Sequence, residues 1–286
     1  MLSDTPPPEP FRRHARRLRR DRAATGFAGH DFLRAAMLDG IDERLAAVKR
    51  PMRDLLDLGC FDGAFTPPPG ARVARLDAGF GFARAAQGIQ ADEDRIPFAD
   101  ASFDGVISAG VLDQVNDVPG ALALVRRVLR PDGLFLGALV GAGSLPVLRS
   151  VLMEAEAPRA VARIHPQIDV RSAGDLLMRA GLTLPVADIE TLSVRYSSLG
   201  RLIEDLRGMA ATNLLRDTPP LTRSTLARAA EAFAARADAD GRVTERFQVI
   251  FLTGWAPDPS QPKPARRGSG KTSLADALRV PGMPQD

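Results

Sequence analysis

Residues 54–63 read DLLDLGCFDG: an apolar run that ends in an acid and drops into a glycine turn. In α/β proteins this pattern marks a first strand and the loop at its carboxyl end, where a ligand meets backbone amides. Such a loop uses glycine wherever the backbone must approach a ligand closely or take a positive φ. Gly59 and Gly63 meet that demand, and Phe61 stands between them. The stretch speaks to the fold before it speaks to an activity.

On either side, short apolar runs alternate with helical patterns. From Asp31, a candidate N-cap, apolar Leu33, Met37, Ile41, Leu45 and Val48 recur every three or four residues, which predicts an amphipathic helix closed by Pro51. Strands are predicted at 55–58, 73–76, 105–108 and 134–140, with a helix over 121–129 before RPDG. This order predicts an α/β fold, a doubly wound, mostly parallel sheet. Helices follow near 144–157 and 172–180, the first starting at Ser144 as N-cap behind Gly141 and Gly143. Two longer strands, 184–196 and 244–255, enclose helical residues 198–210 and 222–237 and suit an edge hairpin with an insertion. Beyond Trp255, PDPSQPKPARRGSGKTS lacks apolar periodicity and reads as a flexible tail.

The division is a basic N-terminal segment (1–30), one domain (31–257) and the tail (258–286). The 286 residues are 45% hydrophobic, ample for a core. No run of about 18 uncharged apolar residues occurs and no apolar stretch follows the charged N-terminus, so neither a transmembrane segment nor a secretory signal is read. The expectation is a soluble, cytoplasmic protein. The single cysteine, Cys60, excludes an intrachain disulfide or a cysteine-only zinc cage.

A pI near 9.6 accompanies a net charge of only +3, and Lys49, Lys263 and Lys271 are the only lysines, so the basicity is arginine. Charges of both signs are interspersed, and no nucleic-acid partner is expected. The dense run FRRHARRLRRDR at 11–22 is the exception. It reads as a solvated basic helix, or as a contact for phosphate, an acidic protein or the surface of an anionic membrane.

Asp77 ends the second strand, 20 residues beyond Asp57, where a nucleoside site places an acid for ribose hydroxyls. Asp92, in QADEDRIPF, precedes a loop where a carboxylate accepts from an adenine amino group. Together with the glycine turn these positions indicate an adenosine-type pocket. The histidines His14, His30 and His165 are scattered and no metal site is read; His165 with Asp169 is merely the nearest pair. GSGKTS at 268–273 fails as a phosphate loop because Ala265 replaces its first glycine and no strand precedes it. Met37, Met153, Met178 and Met209 read as core filler, and Tyr196 and Trp255 as structural.

In order, DLGCxxG, an acid after the second strand, ADxxxxPF, SFDxVIS and LRPDGLFLG resemble a class I S-adenosylmethionine-dependent methyltransferase. GSLPVLRSVLMEAE, LIEDLRGMAATN, GRVTERFQVIFLTGWAPDP and ARRGSGKTS extend the similarity over nearly the whole chain, to complex I assembly factors of methyltransferase type. That family has bacterial members, is associated with protein arginine hydroxylation on a complex I subunit, and is related to malonyl-carrier-protein methyltransferases. The resemblance implies strand order 3-2-1-4-5-7-6 with the seventh strand antiparallel, and S-adenosyl-L-methionine as cofactor. It implies the methionine end at Asp57, Gly59, Cys60 and Gly63, the ribose at Asp77, and the adenine at Asp92 and Glu93.

It further implies a protein substrate or complex I subunit as partner, and an organellar matrix location if the source is eukaryotic. Three departures qualify it. Phe61 replaces the middle glycine; TPPPG at 66–70 limits the following helix to at most about one turn; and Asp113-Gln114 replaces a histidine-aromatic pair and gives the substrate-pocket candidates. No catalytic residue is assigned. The competing functions are arginine modification in complex I assembly, methyl transfer to a carrier-bound carboxylate or other small acceptor, and a non-catalytic scaffold.

Overall fold

The computed structural model describes residues 9–159 and 161–262. The chain opens with helices α1 (Arg13–Ala24) and α2 (Phe32–Ala46), then alternates β1 (Asp54–Leu58), β2 (Arg72–Asp77), α3 (Phe80–Ala85), β3 (Ile89–Gln90), β4 (Phe103–Ala109), α4 (Val118–Val128) and β5 (Leu129–Val140). Helices α5 (Pro146–Glu156) and α6 (Val170–Arg179) precede β6 (Thr183–Tyr196), and α7 (Leu199–Gly208) and α8 (Arg223–Ala234) precede β7 (Val243–Trp255). The seven strands form one sheet in the order β3-β2-β1-β4-β5-β7-β6. Strands β1 to β5 pair in parallel, while β7 runs antiparallel to both β5 and β6. The edge hairpin with its helical insertion is therefore present, in one register from Val186 opposite Thr253 to Tyr196 opposite Val243, with a shift before Thr183 opposite Trp255.

Both faces of the sheet are covered, so its central strands are buried almost throughout rather than on alternate residues. Leu55 and Ile107 point into a core shared with α2, α5, α7 and α8. Their neighbours Leu56 and Val106 point the other way, into a core shared with α4 and α6. Asp117 caps α4 by accepting from the Gly120 amide at 2.8 Å. Asp169 caps α6 through the Ser172 amide at 2.9 Å.

Several local expectations are corrected. Asp31 makes no capping hydrogen bond. Helix α4 stops at Val128 and RPDG enters β5, through a register shift opposite Phe103 and Gly105. Ser144 does not cap α5: its hydroxyl donates to Gly141 O at 2.8 Å and accepts from Gln248 N at 2.8 Å. The α5 amides are met instead by the buried Glu245 of β7, which accepts from Leu148 N at 2.8 Å and Val147 N at 3.3 Å. Residues 64–70 carry no helical turn at all, because three prolines remove the donors one needs. Met153 and Met178 are exposed rather than core. GSGKTS and most of the tail lie outside the described residues.

Candidate functional site

The glycine turn is drawn back under the sheet by two bonds to one carbonyl: Gly59 N and Cys60 N both donate to Leu76 O, at 2.8 and 3.0 Å. Gly59 takes φ +82, and a Cβ there would lie 2.4 Å from Val111 Cγ1, so only glycine fits. Gly63 also takes a positive φ, +79. Cys60 is buried, and burial pushes its thiol pKa up. Phe61 takes φ +49, a left-handed conformation that costs a side-chain-bearing residue about 1–2 kcal/mol. It is held there by an aromatic cluster: its buried ring stacks on Phe27 at 4.9 Å and meets Phe82 edge-on at 5.1 Å.

The acids named by the sequence do converge at the carboxyl ends of β1 to β3, and each faces an arginine of the N-terminal helices. Asp77 receives Arg20 as a bidentate fork, Nε to Oδ1 at 2.8 Å and an Nη to Oδ2 at 2.5 Å. The same carboxylate accepts Gly79 N at 2.7 Å and Phe61 N at 3.0 Å. A carboxylate has about four acceptor sites, so Asp77 is saturated. Arg16 forks onto Glu93 at 2.5 and 2.8 Å. Arg17 reaches Asp92 at 2.6 Å, and Arg13 forks onto Asp94 at 2.6 Å. Between this row of acids and α1 there remains a void of about 10 Å³.

The expectation of a solvated basic helix is thus corrected. Arg13, Arg16, Arg17 and Arg20 share one helical stripe, and that stripe lies on the chain's own acids. Arg16 and Arg20 are buried.

Asp57 is fully buried and neither of its oxygens has a hydrogen-bond partner. Burial pushes its pKa up, opposed by the nearby Arg34 and Arg75. Arg34 of α2 approaches Asp57 only to 3.6 Å. Its guanidinium donates instead to Gly59 O at 2.9 Å, Cys60 O at 2.9 Å and Ala109 O at 2.8 Å, carbonyls at the ends of β1 and β4. It also lies 4.6 Å from the centre of the Phe61 ring.

Beside this closed region a cleft of about 1180 Å³ opens between the ends of β4 and β5 and the segments following α5 and α7. Asp113 and Gln114 line it, as do Arg19, Arg22, His30, Leu148 and Phe247. One Asp113 oxygen and the Gln114 amide oxygen have no hydrogen-bond partner. Burial raises the Asp113 pKa to about 6. His165, also on the cleft, accepts from Leu214 N at 2.8 Å, and burial lowers its pKa to about 4. It is not paired with Asp169, which caps α6. Among the described residues no group of three or more His, Cys, Asp or Glu is placed to hold a metal, and no helix is long and apolar enough to cross a membrane.

A methyltransferase domain model matches residues 56–137, the stretch carrying the glycine turn, both strand-end acids and the β4 motif. The Arginine-hydroxylase NDUFAF5, mitochondrial, of Danio rerio is 32% identical over 294 residues, 96% of this chain and 92% of the relative. The chain belongs to the S-adenosylmethionine-dependent methyltransferase family. Within it the NDUFAF5 proteins are the nearer named relatives. A Malonyl-[acyl-carrier protein] O-methyltransferase of Methylovorus sp. stands further off, 29% identical over 260 residues, 83% of this chain and 86% of the relative. The YcgJ protein of Bacillus subtilis shares the fold, with TM-score 0.54, 19% identity, and coverage of 78% of this chain and 99% of that one.

The family implies S-adenosylmethionine, and the arrangement around Asp77 does not fit it. Ribose hydroxyls need acceptors and Asp77 has none free. The Phe61 ring fills the turn that glycine would leave open, and the cationic Arg34 already holds the Gly59 and Ala109 carbonyls. These arginines were the functional residues that sequence reasoning missed. A stripe at i, i+3, i+4 and i+7 was visible at 13–20, and Arg34 stood alone on an apolar helix face, but their partners are supplied only by the fold.

Proposed function

We propose that this protein is a complex I assembly-type factor that receives an arginine side chain of a protein partner in the cleft beside β4 and β5. The observation that carries the reading is the Asp113 carboxyl lining the cleft, one of its oxygens buried and without a hydrogen-bond partner, in a chain 32% identical over 96% of its length to a protein named an arginine-hydroxylase. A guanidinium suits a carboxylate in a partly apolar cleft, which Glu204 also lines, because its planar fork donates two hydrogen bonds at once.

In a bacterial host this activity belongs in the cytoplasm, and in a eukaryotic one in the organellar matrix. A second reading, assembly support without chemistry, is favoured by the saturation of Asp77. Both are tested by peptide mass spectrometry of complex I subunits from cells with the protein, without it, and with Asp113→Asn. The expected result is one arginine whose mass differs from the unmodified residue only when the wild-type protein is present. Loss of assembled complex I with no change at any arginine supports the second reading. Unchanged arginines and unchanged assembly refute both.

A further inference from the structure

We propose that the pocket which this fold ordinarily gives to an adenosyl cofactor is, in this chain, a guanidinium site whose resident ligand is Arg20. Three features fit a guanidinium, although one Arg20 Nη is buried without a partner. Asp77 meets the planar fork with both oxygens, at 2.8 and 2.5 Å. Two backbone amides, Phe61 N and Gly79 N, complete the acceptor set, so the carboxylate is pre-oriented and has nothing left for a hydroxyl. The Phe61 ring lies face to face with the cation, its centre 4.0 Å from Arg20 Cζ, with Phe82 behind at 5.2 Å.

Phe61 thereby acquires a reason. At φ +49 glycine would be the easier residue, yet a glycine would give the cation no aromatic face. Arg34 stands 4.6 Å from the centre of the same ring. Lacking any helical turn, residues 64–70 offer no aligned amides for a ligand carboxylate. Arg20 is fully buried. It arrives on α1, whose Arg16 and Arg17 fasten the helix to Glu93 and Asp92.

The inference goes beyond the arginine-partner reading and stands or falls without it, because its test contains no partner. The full chain and its Arg20→Ala variant are melted with methylguanidinium, with methylammonium as a charge control, and with S-adenosylmethionine, and the last is also titrated by calorimetry. Arg20→Ala is expected to melt lower than wild type and to regain stability with millimolar methylguanidinium, by mass action on an emptied site. Methylammonium is expected to do neither, and S-adenosylmethionine to bind neither protein. S-adenosylmethionine binding to wild type overturns the proposal. So does its binding to Arg20→Ala without rescue by methylguanidinium, which would make Arg20 a lid over a working cofactor site. Rescue by neither ligand also counts against it. Should Arg20→Ala not fold, Phe61→Gly decides: with Asp77 still saturated it is expected to bind no S-adenosylmethionine, and binding there identifies the ring, not Arg20, as the block.

Discussion

Replacing Arg34 by methionine separates two accounts of how the closed site is held. Arg34 donates three charge-assisted hydrogen bonds of 2.8–2.9 Å to Gly59 O, Cys60 O and Ala109 O, and stands 3.6 Å from Asp57, outside hydrogen-bonding distance. If the carbonyls are the anchor, Arg34→Met takes the guanidinium donors from Gly59 O, Ala109 O and Cys60 O, the last keeping only Gly63 N at 2.8 Å, and leaves the Asp57 charge less compensated. The loss is then about 3–5 kcal/mol, as for removal of one partner from a buried polar constellation. At about 2–4 °C per kcal/mol for a domain of this size, the melting temperature falls by roughly 10 °C. Asp57→Asn removes a buried charge that makes no hydrogen bond and whose pKa burial already raises, so its expected effect is within about 1 kcal/mol of zero and of either sign. Urea unfolding followed by the single tryptophan, Trp255, measures both variants and the double mutant. The reasoning fails if Asp57→Asn costs as much as Arg34→Met and the two couple fully, since the ion pair would then be the anchor.

Asp113 gives a pH signature. Its folded pKa of about 6 lies above the ordinary aspartate value of 3.8, so the native state binds more protons, and stability drops as pH rises from about 4 to about 6, by at most about 3 kcal/mol and less for water in the cleft. Thermal melts across that range are expected to lose this slope in Asp113→Asn, which should be the more stable protein at pH above about 6 and no more stable below about 4. At the glycine turn, Gly59→Ala places a Cβ 2.4 Å from Val111 Cγ1 at φ +82, a cost of about 2–5 kcal/mol from backbone and overpacking together. Pairing it with Val111→Ala is expected to cost less than the two single changes added, as measured by a double-mutant cycle in urea.

The centre of the sheet was legible because β1, β4 and the middle of β5 are apolar-rich runs buried on both faces, and the runs alternate with helical periodicity. That pattern is local. Leu55 and Leu56 each find a core whichever way they point, so the hydrophobic run alone specifies the strand. The positions of Gly59, Asp57 and Asp77 followed from the same regularity, since a strand's carboxyl end is fixed by where its apolar run stops. The absence of a helix at 64–70 came from proline's missing donor, again a local fact.

What the acids bind was not local. Arg20 and Asp77 are 57 residues apart in the chain, Arg16 and Glu93 are 77 apart, and a basic stripe reads alike whether it faces water, lipid or an acidic partner. Only packing α1 across the ends of β2 and β3 selects among those outcomes. The same holds for Arg34, whose three acceptors are backbone carbonyls and leave no side-chain mark, and for Glu245, which reaches across from β7 to cap α5. The sequence by itself determined the family, the sheet and the residues at the strand ends, because hydrophobic period and glycine conformation act over a few residues. The tertiary structure alone decided that those acids are filled by the chain's own arginines, because charge pairing depends on distance in space and not on position in sequence.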